Sequence, residues 1–169
     1  EKNIPVKPEQ FDRDIWLLNL ENGTLCLKTG ELLPHKRENF ITKQISISYV
    51  KGSCCPVWEK FLNRIFNNNQ DIISFIQCAI GYSLTGSNQE QCIFILHGNG
   101  QNGKSTFLAV IKEILGDYAQ HTPSEALMLK KNNTGTSNDI AMLRGARFVS
   151  SVETEEGKAF AEVLIKQLS

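Results

Sequence analysis

"HGNGQNGKST", residues 97–106, supports two readings, and the choice between them decides the fold. Gly98, Gly100 and Gly103 spell G-x-G-x-x-G, the turn that seats a dinucleotide pyrophosphate. Gly98 and Gly103 with Lys104 and Ser105 spell G-x-x-x-x-G-K-S, the loop that wraps a nucleoside triphosphate. Either loop points backbone N–H groups at phosphate oxygens and adds the positive end of the helix behind it. A triphosphate needs two further parts, a mobile cation and a magnesium ligand. Lys104 can reach the β- and γ-phosphates and the Ser105 hydroxyl can face the metal. A dinucleotide site needs neither; it needs an acid roughly 20 residues on, at the end of a second strand. Glu125 stands near that distance, but "GDYAQHTPSE" ahead of it reads as loop. A purely structural glycine turn gives no reason for Gly-Lys-Ser together. The triphosphate reading prevails.

The neighbouring residues supply the context that the motif requires. Residues 92–96, "CIFIL", form a short continuous apolar run, the pattern of a parallel strand covered on both faces. After the loop, Phe107, Leu108, Ile111, Ile114 and Leu115 line one side of a predicted helix, and Gly116 sits where a left-handed cap belongs. A triphosphate site also needs an acid at the end of a neighbouring strand. Phe148, Val149 and Val152 predict such a strand, and Glu153, Glu155 and Glu156 follow where it leaves the sheet. Glu153 is nearest the strand and is the first candidate; Glu155 is the alternative.

Residues 15–33 read as a β-meander, with turns predicted at Asn22-Gly23 and Thr29-Gly30. A further extended stretch is predicted over residues 40–50, where β-branched side chains nearly alternate. Beyond Pro56, the residues Trp58, Phe61, Leu62, Ile65 and Phe66 recur at helical spacing. The Asn67-Asn68-Asn69 run breaks that helix. Ile72, Ile73, Ile76, Ala79 and Ile80 predict a second one ending near Gly81, and neither helix carries evident chemistry. The chain thus divides into a β-rich segment (1–50), a helical hairpin (51–88) and a phosphate-loop core (89–169), an α/β architecture.

An apolar fraction of 41% with 21% charged residues is ordinary for a soluble globular protein. No apolar run approaches the roughly 20 residues that cross a bilayer, and the stretch EKNIPVKPEQ is no secretory signal. Five cysteines, Cys26, Cys54, Cys55, Cys78 and Cys92, show no disulfide or zinc spacing and read as reduced, partly buried thiols. Net charge is zero, so any nucleic-acid contact must come from a local patch or from other sequence. Lys130-Lys131 reads as a solvated loop, His97 as a strand-end residue, and Trp16 and Trp58 as core anchors. Arg144 and Arg147 read as surface residues or acid partners.

Four stretches together resemble the helicase part of phage- and plasmid-type primase–helicases, within superfamily 3: "FDRDIWLLNLENGTLCLKTGELLPH", "CPVWEKFLNRIF", "IQCAIGYSLTGSNQEQCIFILHGNGQNGKSTF" and "LRGARFVSSVETEEGKAFAEVLIKQLS". Asn102 ahead of Gly103-Lys104-Ser105, and the Leu-Arg-Gly-x-Arg lead into an acidic strand end, are the specific parts. The resemblance implies a cytoplasmic AAA+-like P-loop ATPase of a bacterial or phage-infected cell. It further implies a hexameric ring that translocates on single-stranded or forked DNA, using ATP and Mg2+. By that analogy residues Gly98, Asn99, Gly100, Gln101, Asn102, Gly103, Lys104, Ser105 and Thr106 hold the nucleotide. Lys104 takes the β- and γ-phosphates, Ser105 and Thr106 serve the magnesium side, and Glu153 with Glu155 forms the acid group. The family's sensor strand and arginine finger are expected beyond Ser169, so the chain reads as a fragment that binds nucleotide weakly and forms no stable ring alone.

Two other classes fit the same loop: a regulatory nucleotide-binding module that turns over little, and a small-molecule phosphotransferase. The latter calls for lid arginines, and no arginine-rich stretch follows residue 116. GTP specificity would call for Asn-Lys-x-Asp, which the chain lacks.

Overall fold

The computed structural model describes residues 6–128, 142–151, 161–162 and 165–166. Among the described residues the fold is mixed α/β, with a three-stranded antiparallel sheet, three complete α-helices and a two-stranded parallel sheet. Strands β1 (Leu17–Leu20), β2 (Gly23–Cys26) and β3 (Glu31–Leu33) form the meander in that order. Its first turn is shifted one residue from the Asn22-Gly23 expectation. Leu20 pairs with Gly23, so Glu21 and Asn22 make the loop. The cause is the Asn22 amide, which is engaged elsewhere. It donates to the Tyr49 carbonyl at 2.9 Å and accepts from the Tyr49 N–H at 2.9 Å, standing in for a strand partner. The 40–50 stretch does not complete a strand; a single parallel bridge, Leu20 to Ile45, ties it to β1.

Helix α1 (Pro56–Ile65) starts with proline at a position whose N–H has no helical acceptor anyway. Asn67 and Asn68 take left-handed φ of 50° and 58°, ending it. The Asn69 side chain then caps α2 (Gln70–Thr85) by accepting from the Asp71 and Ile72 N–H groups. This helix passes through Gly81 and stops at Gly86, whose φ of 65° closes it. Helix α3 (Lys104–Leu115) follows the glycine loop.

The parallel pair corrects two expectations. Strand β4 (Ala119–His121) lies inside the segment read as loop, and it pairs with β5 (Phe148–Ser150). Ala-Gln-His has neither alternation nor β-branching, so only its partner reveals it. Conversely, residues 92–96 form no strand, and Ile93, Phe94 and Ile95 are 48%, 42% and 74% exposed. A strand exists through its ladder, and among the described residues none lies alongside this run.

One buried cluster draws on all three segments of the chain: Leu18, Leu20 and Ile45, then Leu62 and Ile73, then Phe107, Ile111, Leu115 and Tyr118. Trp58 packs on this core, stacked 5.7 Å from Phe107, whereas Trp16 lies half-buried under Lys28 at 4.9 Å. Among the described residues no helix is long and apolar enough to cross a membrane. All five cysteines are free. Contrary to the expectation of partial burial, Cys54, Cys55, Cys78 and Cys92 are exposed and Cys26 alone is half-buried. They sit in loops or on outward helix positions, away from the core.

Tyr118 is the most enclosed member of the core. Its hydroxyl accepts from the Asn19 N–H and donates to the Lys43 carbonyl, each at 3.3 Å. Burial raises its pKa above the ordinary tyrosine value, against the opposing Asn19 hydrogen bond and the Arg147 charge. A raised pKa means that the native state favours the neutral phenol. Its contribution is complete below about pH 10 and is lost as pH rises through the native value. Tyr118→Phe is expected to lose about 1 kcal/mol at neutral pH and to blunt the alkaline fall. Urea melts across that range check both.

Candidate functional site

Helix α3 enters from Gly103, which holds φ 88°, ψ 0° and offers no side-chain cap. Phe107, Ile111 and Leu115 anchor the helix in the core, leaving its first turn at the surface. Apart from the Gly103 carbonyl, which accepts from the Phe107 N–H at 2.9 Å, the loop makes little backbone pairing. Among the described residues, no protein acceptor meets the N–H groups of residues 98–106. The free N–H groups of the first turn and the helix dipole place positive potential at the start of α3.

Lys104 folds back over the loop. Its ammonium donates to the Gly98 carbonyl at 2.6 Å, the Asn99 carbonyl at 3.3 Å and the Asn102 Oδ1 at 3.0 Å. Three donors therefore meet three oxygens. An anion with several oxygens can replace those loop acceptors without leaving the charge unpaired. The Asn102 amide also packs tightly against Gly98, where a Cβ would collide with its nitrogen. Ser105 and Thr106 are exposed on the first turn, as are Gly100 and Gln101 at the loop tip. Gln101 takes a left-handed φ of 59°. Of the predicted loop residues, Gly98, Asn99 and Asn102 meet the Lys104 ammonium.

The acids are a different matter: Glu153, Glu155 and Glu156 lie outside the described residues, as do Lys130 and Lys131. Their strand, β5, packs with β4 against α3. At the carboxyl ends of those two strands, the buried hydroxyls of Thr122 and Ser151 have no hydrogen-bond partner among the described residues. His97 is exposed and makes no hydrogen bond among them.

Two supports of the site escaped the sequence reading. The first is α1, to which no chemistry was assigned. A Cβ on Gly103 would stand 2.7 Å from the Ile65 Cγ2 and 3.4 Å from a Phe61 ring carbon, so α1 backs the loop at contact distance. The positive φ and this wall together require glycine. Gly103→Ala is expected to cost about 2 kcal/mol and to weaken any ligand held by the loop. Denaturant midpoints and ligand titration check it.

The second is Arg147, which is part-buried and, among the described residues, forms no ion pair, where the sequence reading expects a surface residue or an acid partner. Its guanidinium donates to the Leu84 and Leu17 carbonyls, both at 2.7 Å, and lies 4.8 Å from the centre of the Tyr118 ring. Burial lowers its pKa, with the Tyr118, Asp12 and Asp14 charges opposing. It thereby joins β1, the end of α2 and the start of β5. Its partners lie far away in sequence, so no local signal exposes the role.

The family described as "D5 N terminal like" matches residues 1–67, ending before the glycine loop. A protein of Acanthamoeba polyphaga mimivirus named as a candidate helicase, L207/L206, is 23% identical over 156 residues. That alignment covers 90% of this chain and 16% of the mimivirus protein. A protein of African swine fever virus named as a candidate primase, C962R, is 25% identical over 144 residues, 80% of this chain and 15% of that protein. The chain thus spans about a sixth of the length of these relatives.

Proposed function

We propose that this chain is the nucleotide-binding part of a DNA-replication helicase of the primase–helicase type, with a P-loop ATPase core of AAA+ kind. One observation carries the reading: a lysine ammonium held by three loop oxygens at the start of a 12-residue helix that follows a glycine turn. That arrangement suits a polyphosphate better than any other ligand class. The similarity to viral proteins named for helicase and primase supports the same direction.

In this reading the amides of residues 98–106 hold the phosphates and Lys104 exchanges its loop carbonyls for β- and γ-phosphate oxygens. The Ser105 hydroxyl, with Thr106 beside it, would hold Mg2+, which would supply neutralisation of the phosphate charge. Glu153, or Glu155, orients a water toward the γ-phosphorus. The bond to the β,γ-bridging oxygen breaks, giving ADP and phosphate. The hexameric ring and the DNA partner belong to the whole protein and are proposed with it.

The test is titration of the full chain with a fluorescent ATP analogue, with and without Mg2+. Saturable binding displaced by ATP is expected. Absence of binding at millimolar nucleotide defeats the reading, and binding without turnover in the intact protein favours a regulatory module.

A further inference from the structure

Asn-Gly occurs three times in the chain, at Asn22-Gly23, Asn99-Gly100 and Asn102-Gly103, and the last two lie in the glycine loop. The dipeptide is chemically labile as well as turn-forming. Its glycine N–H, unshielded by a Cβ, can attack the asparagine side-chain amide and expel ammonia. In a folded chain the reaction needs two freedoms. The amide must swing over the following nitrogen, and that N–H must be free to give up its proton.

The three sites differ in both. Asn22 is pinned, because its amide donates to the Tyr49 carbonyl and accepts from the Tyr49 N–H, each at 2.9 Å. Gly23 behind it lies in β2, where a Cβ would stand 2.6 Å from the Leu33 carbonyl oxygen. Asn102 is pinned as well. Its Oδ1 accepts from the Lys104 ammonium at 3.0 Å and its Nδ2 packs against Gly98. Asn99 and Gly100, by contrast, are both exposed. Among the described residues the Asn99 amide makes no hydrogen bond, the Gly100 N–H meets no acceptor, and a Gly100 Cβ would have no neighbour within 4 Å.

Lys104 adds an electrostatic push at this same site. Its ammonium donates to the Asn99 carbonyl at 3.3 Å. That carbonyl and the Gly100 nitrogen belong to one peptide group. Negative charge left on the nitrogen when its proton departs is shared with the oxygen beneath the ammonium. A hydrogen bond strengthens when its acceptor becomes an anion.

We propose that Asn99 is a self-modification site, at which the Lys104 ammonium assists the Gly100 nitrogen in closing a succinimide ring on the Asn99 side chain. The Gly100 nitrogen bonds to Cγ and the bond from Cγ to Nδ2 breaks. Nδ2 leaves as ammonia, taking up the proton that Gly100 lost. Water then opens the ring at either carbonyl, giving aspartate or isoaspartate. In isoaspartate the main chain runs through the former side chain, and the former Asn99 carbonyl becomes a free carboxylate beneath Lys104. The consequence, which rests on the polyphosphate reading of the loop, is a lysine paired inside the loop and withdrawn from phosphate.

The experiment is peptide mass mapping of the full chain aged at mildly alkaline pH, native or unfolded in urea, with isoaspartate tagged by an isoaspartyl methyltransferase. In the native chain Asn99 is expected to react at least about tenfold faster than Asn22 or Asn102, whose hydrogen bonds must break first. In urea the three rates should converge. Lys104→Met, which keeps length without charge, is expected to slow Asn99 about threefold or more and to leave Asn22 at its wild-type rate. The proposal is overturned if Asn99 survives in the native chain while the unfolded chain reacts, or if Asn22 or Asn102 reacts as fast as Asn99. An unchanged Asn99 rate in Lys104→Met also overturns it. Modified and unmodified fractions of one incubation, separated by charge, are then titrated with the fluorescent ATP analogue. The modified fraction is expected to bind at least about tenfold more weakly, and equal binding overturns the stated consequence. Binding by neither fraction defeats the polyphosphate reading instead, while the mass map still decides the fate of Asn99.

Discussion

Lys104→Ala is expected to lower the affinity for Mg–ATP by about 10- to 100-fold and to abolish any turnover. The ammonium sits on three loop oxygens within 3.3 Å and is the one side-chain cation in that cage. Truncation leaves the γ-phosphate facing amides alone. A hydrogen bond to a charged group contributes about 1.5–3 kcal/mol, which sets the range. Lys104→Arg keeps the charge but replaces a compact ammonium by a planar fork, so it should recover part of the binding and little of the chemistry. Isothermal titration with a non-hydrolysable ATP analogue reads the effect directly, and the fold should survive because the side chain is not in the core. Equal affinities in wild type and alanine variant would remove the polyphosphate assignment.

Arg147→Ala is expected to destabilise the protein by about 3 kcal/mol. Two hydrogen bonds of 2.7 Å disappear, and the Leu17 and Leu84 carbonyls lose a charged donor in a part-buried setting. The cation over the Tyr118 ring goes with them. For a chain of this size that loss lowers the melting temperature by about 6–12 °C. Arg144→Ala is the internal control: Arg144 is exposed, and its loss should stay within about 0.5 kcal/mol. Urea midpoints measured side by side decide the matter. Indistinguishable midpoints for the two variants would show that the 147 clamp contributes nothing.

Much of the fold was legible because its signals are local. Proline at the first turn and a 3.6-residue apolar stripe announce α1; Asn69 and Gly86 bracket α2, although Gly81 misplaced its predicted end by four residues. The glycine loop and α3 stand where motif and stripe place them. Failures came wherever hydrogen bonds join distant residues. Residues 92–96 have the composition of a buried strand but no ladder, and β4 has a ladder without the composition. The Asn22 turn moved by one residue because the Asn22 amide bonds Tyr49, 27 positions away.

The candidate site divides along the same line. Residue identity alone supplied the groups of the proposed phosphate site: glycines free of Cβ, a lysine and a hydroxyl beside it. These are properties of a continuous stretch, and a helix start after a glycine turn follows from neighbouring torsions. Tertiary structure alone decided what holds that stretch in shape. The Phe61 and Ile65 wall behind Gly103 and the Arg147 clamp arise from contacts whose partners are brought together by core burial. Such burial is non-directional and leaves no periodic trace in the order of residues.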